Sequence, residues 1–572
     1  MNDAVTPLSP EIGSAVSMLA AGDPQGAVAL LSAFVAGAPA EVEAHYWLAS
    51  ALFAAGETKA ARASLVTAAT LHGTMSLKGA GFDVIRLRND RAHAATIGKQ
   101  LYDAKFMGLA SVVLAQALDP VRPSPEVLLS YGLSLQHQGR IEDALEVLAA
   151  MVELFDHPTL QAFVIYALFF SDGGVRRVSE AAKAWGARYA EPLIPAHVAF
   201  ANPRSADRPL RIGYVGPAFA TSQVAQFLLP VLEHHDPAAT EIYLYGPDTA
   251  DEAGLPATAR RRSIGDLSDE TVLGMVRADG IDILVDVWGH TVHGRLGVFA
   301  RRAAPVQVAF INFVQTTGLR TMDYVLHADL IDGPEVADLF VETVWPLSQV
   351  MAPFRPLPGR PPPCPTPALK NGFVTFGSFN HPAKLSDATV AAWSAILRAR
   401  PTSRLVLKYG YFIDPVLQRA TFARFAAHGV EGAQIEFRGE SKGEAYLLEF
   451  CDIDLALDPS PCPGGTTTCD ALSNGVPVLT LRGEDFYGRI GLAGVIPCGA
   501  PELVADTWPD YVRKACDLTD DFGSLDALRR RVRDGFETSA LRDEPGFTRG
   551  LEQHFRDMFA IWLAKDQAAK AA

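Results

Sequence analysis

The chain has 572 residues and a formal net charge of −15, with 49% hydrophobic and 20% charged residues. At about 100 to 200 residues per domain, this length predicts three or four domains of ordinary globular composition. The acidic balance argues against a nucleic-acid partner, because a phosphate backbone is bound through clustered Lys and Arg side chains.

The N-terminal stretch MNDAVTPLSPEIGS has neither a positive start nor an apolar core, and it therefore does not resemble a secretory signal. No apolar run approaches the roughly 20 residues that a membrane helix needs. The six cysteines contain no CxxC pair and indicate reduced thiols rather than a disulfide framework or a zinc site. We therefore predict a cytoplasmic protein without a membrane span.

A turn glycine followed five residues later by an alanine recurs in the first 190 residues. The pairs are Gly22 with Ala27, Gly56 with Ala61, and Gly139 with Ala144. The first two glycines are 34 residues apart, which is the tetratricopeptide period, and Ala110 fits a degenerate copy one period before the last. The pattern predicts a solenoid of helix pairs that docks a protein partner, and a non-repeating helical bundle is the alternative.

From residue 208 onward, short apolar runs alternate with longer helical patterns. Two such series occur, one on each side of the stretch PFRPLPGRPPPCPTP, whose eight prolines predict a stiff, extended connector. This alternation is typical of βαβ units with parallel sheets. The sequence therefore predicts two doubly wound lobes that bind ligands at the carboxyl ends of their strands.

The segment PCPGGTTTCDALSNG follows the strand-like run IDLALDPS and precedes a helical pattern. A strand, a loop of small residues and a helix N-terminus together form an anion site. Gly464 and Gly465 would let the main chain approach a phosphate, Thr466 and Thr467 could add hydroxyl donors, and Asp470 could accept from a ribose. An ordinary helix cap would use the same residue types.

Lys384 lies just past the strand-like run GFVTFGSFN of the same lobe. Its charge could neutralise the phosphate of a leaving nucleotide, which is the role that electrostatic catalysis requires. Taken alone, a lysine at this position is more often an ordinary surface residue. The lysine and the small-residue loop are informative because they occur together.

Several segments resemble the O-GlcNAc transferases of glycosyltransferase family 41. They are FNHPAKLSD, PCPGGTTTCDALSNGVPVLTLRGEDFYGRIG, GYVGPAFA, and the region from GHTVHGRLGVFARR to MDYVLH. The resemblance covers roughly residues 208 to 495. It implies an α-helical tetratricopeptide solenoid followed by an α/β GT-B glycosyltransferase with two Rossmann-like lobes, acting by inversion and without a metal.

The resemblance also implies roles for individual residues. Lys384 corresponds to the diphosphate contact and leaving-group stabiliser, and Thr466 and Thr467 correspond to phosphate contacts. Asp470 corresponds to the ribose contact, and His381 stands where the family has a nucleotide-contacting glutamine. A nucleotide sugar is thus the expected co-substrate, and no cofactor is implied.

The sequence departs from the family pattern around the sugar. Gly465 replaces a histidine, and Ala218, Ser222 and Gln226 replace an aspartate and two histidines. These changes suggest a donor other than UDP-GlcNAc. Tetratricopeptide proteins with such divergent domains resemble the soluble flagellin glycosyltransferases, which implies a CMP-linked nonulosonic acid such as pseudaminic acid and flagellin as the acceptor.

Two further patterns could contribute chemistry. His290 and His293 follow the run IDILVDVWG at the predicted edge of the first lobe, and His290 is the stronger candidate for an acceptor-side base, although a structural role is the alternative. Asp452 and Asp454 form a DxD pattern, and strand alternation would place both on one face. No metal site is predicted from them.

The leading hypothesis is a protein O-glycosyltransferase that modifies Ser or Thr. The alternatives are a UDP-GlcNAc-dependent protein O-GlcNAc transferase and an inactive tetratricopeptide adaptor or chaperone. The predicted parts are a partner-docking domain (1–190), an N-terminal catalytic lobe (208–355), a nucleotide-sugar-binding lobe (368–545) and a C-terminal helix (546–572).

Overall fold

The computed structural model describes residues 9–57, 60–61, 63–64, 67–68, 91–205, 207–217, 219–220, 224–247, 254–333 and 336–571. It divides into two compact units. The first unit contains residues 1–155, 381–383 and 407–440, and the second contains residues 156–380, 384–406 and 441–572.

The first unit is built on antiparallel helix pairs. Its described helices before residue 155 are α1 (Pro10–Ala20), α2 (Pro24–Gly37), α3 (Val42–Ala54), α4 (Arg91–Asp103), α5 (Met107–Ala117), α6 (Pro125–His137) and α7 (Ile141–Leu154). The predicted turn glycines Gly22, Gly56 and Gly139 have φ angles of +81°, +82° and +81°, a conformation that favours glycine. The alanines five residues after them are completely buried. The structure thus confirms the helix-pair prediction.

The repeat continues in places that the pattern did not reveal. Lys105, Gly139 and Gly173 are spaced by 34 residues. Lys105 adopts the left-handed conformation of the turn glycines, with φ +72°, and Gly173 has φ +65°. The last helix pair, α8 (Pro158–Leu168) and α9 (Gly174–Trp185), belongs to the second unit. Val178 takes the place of the signature alanine there, and for that reason the sequence motif missed this pair.

In the described part of the chain, seven strands form the sheet of the N-terminal lobe in the order β3-β2-β1-β4-β5-β6-β7. They are β1 (Leu210–Val215), β2 (Thr240–Gly246), β3 (Arg260–Ser263), β4 (Ile283–Asp286), β5 (Val306–Ala309), β6 (Tyr324–Ala328) and β7 (Thr343–Leu347). All neighbouring strands are parallel. The strand order reverses between β1 and β4, which is where a doubly wound sheet opens a crevice for ligands.

Helices cover this sheet. They are α10 (Ala225–His234), α11 (Asp269–Ala278), α12 (Leu296–Ala300), α13 (Val336–Leu339) and the C-terminal α22 (Glu544–Ala571). Leu551, Phe555 and Met558 of the C-terminal helix are buried in one core with Ile212 of β1 and Ile283 of β4. The sequence predicted this helix but not its position, which is against the N-terminal lobe.

The second sheet contains six strands among the described residues, in the order β10-β9-β8-β11-β12-β13. They are β8 (Thr375–Ser378), β9 (Arg404–Lys408), β10 (Ile435–Arg438), β11 (Leu455–Leu457), β12 (Val478–Leu481) and β13 (Val504–Ala505). Its helices are α14 (Pro367–Asn371), α15 (Asp387–Ala399), α16 (Pro415–Ala426), α17 (Gly443–Leu448), α18 (Thr466–Ser473), α19 (Ile490–Val495), α20 (Trp508–Asp517) and α21 (Phe522–Thr538). Here the strand order reverses between β8 and β11.

The proline-rich connector forms neither helix nor strand over residues 353–366. Its Cys364 is disulfide-bonded to Cys451, 87 residues away. The prediction of reduced thiols throughout is therefore wrong for this pair, because a spacing of that length carries no signal for pairing. Among the described residues, no helix is both long and apolar enough to span a bilayer.

In the first unit, Asp414 caps the starts of two helices. Its Oδ1 accepts from the backbone N–H groups of Val416 at 2.8 Å and Leu417 at 3.4 Å. Its Oδ2 accepts from Gly108 at 2.6 Å and Leu109 at 3.1 Å. One buried carboxylate thus joins α16 to α5, two helices separated by about 300 residues in the chain.

We expect Asp414→Ala to destabilise this unit by several kcal/mol, because each buried N–H group left without an acceptor costs about 1–3 kcal/mol. The thermal unfolding midpoint and hydrogen exchange at the four capped amides would measure the effect. Asp143→Ala, which removes an exposed ion pair with Arg140, is the control and should change little. Equal midpoints for the two variants would contradict the capping role.

Candidate functional site

The small-residue loop ends at the N-terminus of α18, as the sequence predicted. The helix begins at Thr466, and the first intrahelical bond runs from Cys469 N–H to the Gly465 carbonyl. The N–H groups of residues 466–468 precede that first bond and lie at the positive end of the helix dipole. The arrangement suits a phosphate group.

Asp458, which follows β11, anchors the loop through a hydrogen bond. Asp458 is 1% exposed. One carboxylate oxygen accepts from Gly464 N–H at 2.7 Å and the other from the Thr480 hydroxyl at 3.0 Å. Burial raises the pKa of Asp458 to about 6, while the Gly464 hydrogen bond and the charge of Lys384 act in the opposite direction. This residue was not singled out from the sequence.

The two loop glycines differ in their surroundings. A Cβ at Gly464 would lie 2.4 Å from the Thr468 hydroxyl oxygen and 2.6 Å from that of Thr467, so only glycine fits. A Cβ at Gly465 would meet no atom within 4 Å. The position where the family has a histidine is therefore open in this chain.

Lys384 lies beside this loop. Its Nζ donates to the Pro463 carbonyl at 2.7 Å, and the side chain is partly buried. Asn380, just past β8, accepts from the Thr467 hydroxyl at 3.0 Å. The carboxyl ends of β8 and β11 are adjacent in the sheet, and for that reason two segments 80 residues apart meet at one point.

Asp470 lies one turn into α18 and is 3% exposed. Its Oδ1 accepts from Gln226 Nε2 at 3.2 Å, and its Oδ2 accepts from the Tyr446 hydroxyl at 3.0 Å. Burial raises the pKa of Asp470 to about 6. Since Gln226 belongs to α10 of the N-terminal lobe, this carboxylate joins the two lobes, and a ribose hydroxyl would have to share or replace one of these donors.

His381 belongs to the first compact unit. Its ring contacts Tyr409 with a centroid distance of 4.7 Å, and its Nε2 lies 3.0 Å from His137 Nδ1. Its Nδ1 accepts from Ala383 N–H at 2.9 Å. Both ring nitrogens are thus engaged by protein groups.

His290 is buried at the carboxyl edge of the first sheet. Its Nε2–H donates to the Thr317 carbonyl at 2.8 Å, and its Nδ1 has no hydrogen-bond partner among the described residues. The ring packs edge-on against Trp185, at 4.8 Å between centroids, and against Phe313, at 5.3 Å. Burial lowers the pKa of His290 to about 4, so the imidazole is neutral at neutral pH.

His290 lies in the wall of a cavity of about 800 Å³. One side of this cavity is formed by the last helix pair and includes Trp185. The other side is formed by the loops after β1 to β4 and includes Gly216 and His293. His293 has φ +69°, an uncommon conformation for a residue other than glycine. This volume falls in the range of ligand pockets, about 300 to 1,000 Å³.

Phe169 at the end of α8 connects the two candidate regions. Its ring lies 5.2 Å from Phe313, which packs on His290, and 4.8 Å from Tyr487. The Tyr487 hydroxyl is 3.2 Å from Cys462 Sγ in the phosphate-site loop. Phe169 could not be singled out from the sequence, because Phe313 and Tyr487 are each more than 100 residues away in the chain.

The DxD pattern has a structural explanation. Asp452 ends a 3₁₀ turn, so the two carboxylates do not lie on one strand face as the alternation predicted. Asp454 is fully buried and accepts from the N–H groups of Ala368 and Thr375 at 2.9 and 2.8 Å. Ala218 and Ser222 lie outside the described residues.

Comparison with known proteins identifies the family. The model of "Glycosyl transferase family 41" matches residues 194–350 and 366–551, and a tetratricopeptide repeat model matches residues 18–70. The chain belongs to glycosyl transferase family 41. Both the predicted family and the predicted fold, helical repeats followed by a two-lobed GT-B domain, are thereby confirmed.

Individual relatives agree with this assignment. The chain is 35% identical over 414 residues to the "Probable UDP-N-acetylglucosamine--peptide N-acetylglucosaminyltransferase SPINDLY" of Oryza sativa subsp. japonica. This alignment covers 70% of this chain and 44% of the relative. It is 22% identical to the UDP-N-acetylglucosamine--peptide N-acetylglucosaminyltransferase of Caenorhabditis elegans, over 61% and 41% of the two chains. The chain thus spans less than half the length of these curated relatives.

A solved structure matches nearly the whole chain. A mutant O-GlcNAc transferase of Thermobaculum terrenum aligns with a TM-score of 0.78 and 31% identity, covering 92% of this chain and 98% of that one. The likeness therefore includes the helical repeats as well as the two lobes. None of the relatives named above is described as a flagellin glycosyltransferase.

The buried carboxyl of Asp470 predicts a pH-dependent stability. The pKa of Asp470 is about 6 in the folded protein, whereas its ordinary value is 3.8. Between these two pH values the folded state therefore binds more protons than the unfolded state. The stability of the folded state then falls as the pH rises through this window. Above pH 6, ionisation of this buried carboxyl lowers the free energy of unfolding by about 3 kcal/mol. Asp470→Asn avoids that cost, and its melting temperature relative to the wild type should increase from pH 4 to pH 7.

Differential scanning fluorimetry across this pH range would measure the change. Asp266→Asn, at an exposed position, is the matched control. A difference between Asp470→Asn and the wild type that stays constant from pH 4 to pH 7 would show that Asp470 is not a buried titrating group.

Proposed function

We propose that this chain transfers a sugar from a nucleotide sugar to a Ser or Thr hydroxyl of a protein acceptor. The observation that carries the proposal is the meeting of Lys384 with the Gly464–Gly465 loop at the N-terminus of α18. One cation and several N–H groups converge where a phosphate would lie. This arrangement is suited to a leaving group that gains negative charge.

In the proposed reaction, the acceptor oxygen attacks the anomeric carbon as the bond from that carbon to the phosphate oxygen breaks. The electron pair of that bond stays on the phosphate, and the proton of the acceptor hydroxyl passes to water. Lys384 stabilises the charge, and the N–H groups and hydroxyls of Thr466 and Thr467 hold the phosphate in place. Asp470, which accepts from the Tyr446 hydroxyl, would bind the ribose. Independence from a metal stays a prediction.

His290 is proposed to orient the acceptor hydroxyl. Because Nε2 carries the hydrogen that is donated to Thr317, Nδ1 holds a lone pair in a buried position. A pKa of about 4 makes the imidazole a weak base, so it is better suited to accept a hydrogen bond from the acceptor than to hold the proton. The neighbouring cavity would receive the acceptor segment, and the helical repeats would dock the remainder of that protein.

Two donors are compatible with the site. The relatives are named as UDP-N-acetylglucosamine-dependent enzymes, and this favours UDP-GlcNAc. The open space at Gly465 favours a different sugar, and a CMP-linked nonulosonic acid with flagellin as the acceptor is the second candidate. The mass added to the acceptor distinguishes the two donors.

A cytoplasmic location stays a prediction.

Intact-mass spectrometry of flagellin co-expressed with the full chain would test the proposal. We expect Lys384→Ala to reduce the modified fraction, with a loss of about 100-fold or more in rate, which is typical for removal of one transition-state donor. Lys370→Ala, at an exposed position of the same lobe, is the control. Persistent modification by Lys384→Ala would contradict the assigned role.

The mass increment identifies the donor. An N-acetylhexosamine increment would reject the nonulosonate candidate, and a nonulosonate increment would reject UDP-GlcNAc. If flagellin stays unmodified, the glycoproteins of cells that express the wild type and Lys384→Ala should be compared. No difference there would favour the inactive adaptor.

A further inference from the structure

The short segment before Lys384 packs with the helical repeats. Residues 381–383 belong to the first compact unit, whereas the chain on both sides of them belongs to the second. A Cβ at the repeat-turn residue Gly139 would lie 3.1 Å from the Pro382 carbonyl oxygen. A 3₁₀ turn spans Pro382–Lys384, so the backbone that these contacts hold continues directly into Lys384.

A directional hydrogen bond fixes this segment. Ala383 N–H donates to His381 Nδ1 at 2.9 Å, so the ring hydrogen of His381 is on Nε2. That atom lies 3.0 Å from His137 Nδ1 at the end of α6. His381 therefore donates and His137 accepts, and the tautomers of both rings are determined.

The pair lies in an aromatic enclosure. Tyr411 contacts both rings, with centroid distances of 4.8 Å to His137 and 5.3 Å to His381, and Tyr102 lies 6.0 Å from His137. Burial lowers the pKa of His137 to about 4, which keeps its Nδ1 available as an acceptor at neutral pH. The ring of His381 is thus held by packing as well as by hydrogen bonds.

We propose that His137 is a positioning residue for nucleotide binding: it holds His381 and thereby the turn that leads into Lys384. On this account His381 orders the turn through its two engaged nitrogens instead of hydrogen-bonding the nucleotide itself. The helical repeat then contributes to donor affinity in addition to acceptor docking. This inference rests on the proposed donor-binding function.

Calorimetric titration of UDP and of CMP into the full chain would test it. We expect His137→Ala to weaken nucleotide binding by about five- to tenfold, the value of one hydrogen bond. His137→Asn places an acceptor oxygen near the position of Nδ1 and should restore affinity to within about twofold of the wild type. His137→Phe, which keeps a ring without an acceptor, should behave like His137→Ala.

A double-mutant cycle separates positioning from a general loss of structure. His381→Phe should cost as much as His137→Ala, and the double variant should cost no more than either single change. His428→Ala, at an exposed position of the same unit, is the control. Melting temperatures of all variants would identify any that fail to fold, and His137→Asn and His137→Phe keep the comparison valid if His137→Ala is one of them.

The outcomes are distinct. If His137→Ala binds UDP and CMP like the wild type while Lys384→Ala loses binding, the positioning role is refuted and the proposed function stands. If His137→Asn is as weak as His137→Ala, the hydrogen bond is not the cause. If the wild type binds neither nucleotide, the donor-site assignment and this inference both fail.

Discussion

The phosphate-site loop depends on one buried carboxylate. Asp458 lies at the end of β11 and binds Gly464 N–H with one oxygen and the Thr480 hydroxyl with the other. Because burial of an ionised carboxylate is costly without partners, these donors and the nearby Lys384 are needed to keep it in place. The same contacts define where the loop turns into α18. The Asp458 carboxylate thus interacts with the loop that leads into α18 and with the charge of Lys384.

The last helix pair belongs to the same compact unit as most of the two lobes. Phe169 packs between Phe313 of the N-terminal lobe and Tyr487 of the C-terminal lobe. At Gly186, just after α9, a Cβ would lie 1.9 Å from the Gly318 carbonyl oxygen, so the backbones approach closely. The last helix pair thus forms part of the wall of the cavity that contains His290.

The charge distribution of the site matches the proposed chemistry. The donor side has a cation and a helix N-terminus, which stabilise the negative charge that develops on the phosphate. The acceptor side has a neutral, buried histidine, which can accept a hydrogen bond without introducing a charge. Burial produces this difference, because it removes the charge from His290 while Lys384 stays only partly buried.

Local sequence patterns were enough to predict the helical repeats, the two α/β lobes and the pairing of Lys384 with the Gly464–Gly465 loop. These features are local: a turn glycine, an apolar run or a small-residue loop each lies within a few consecutive positions. Even so, the pattern missed the repeat at Gly173, where valine replaces the signature alanine, and it placed Asp452 and Asp454 on a common face that does not exist.

The residues that support the site became visible only in the folded arrangement of the chain. Asp458, Tyr446, Phe169 and His137 carry no motif, and Gln226 stood out only as a departure from the family pattern. Each contacts a partner that is distant in the chain or on the far side of a loop. Residue type does not show whether an aspartate is a ligand contact or a buried clamp. That depends on what packs against it, and packing is set by strand order and burial, not by neighbours in sequence.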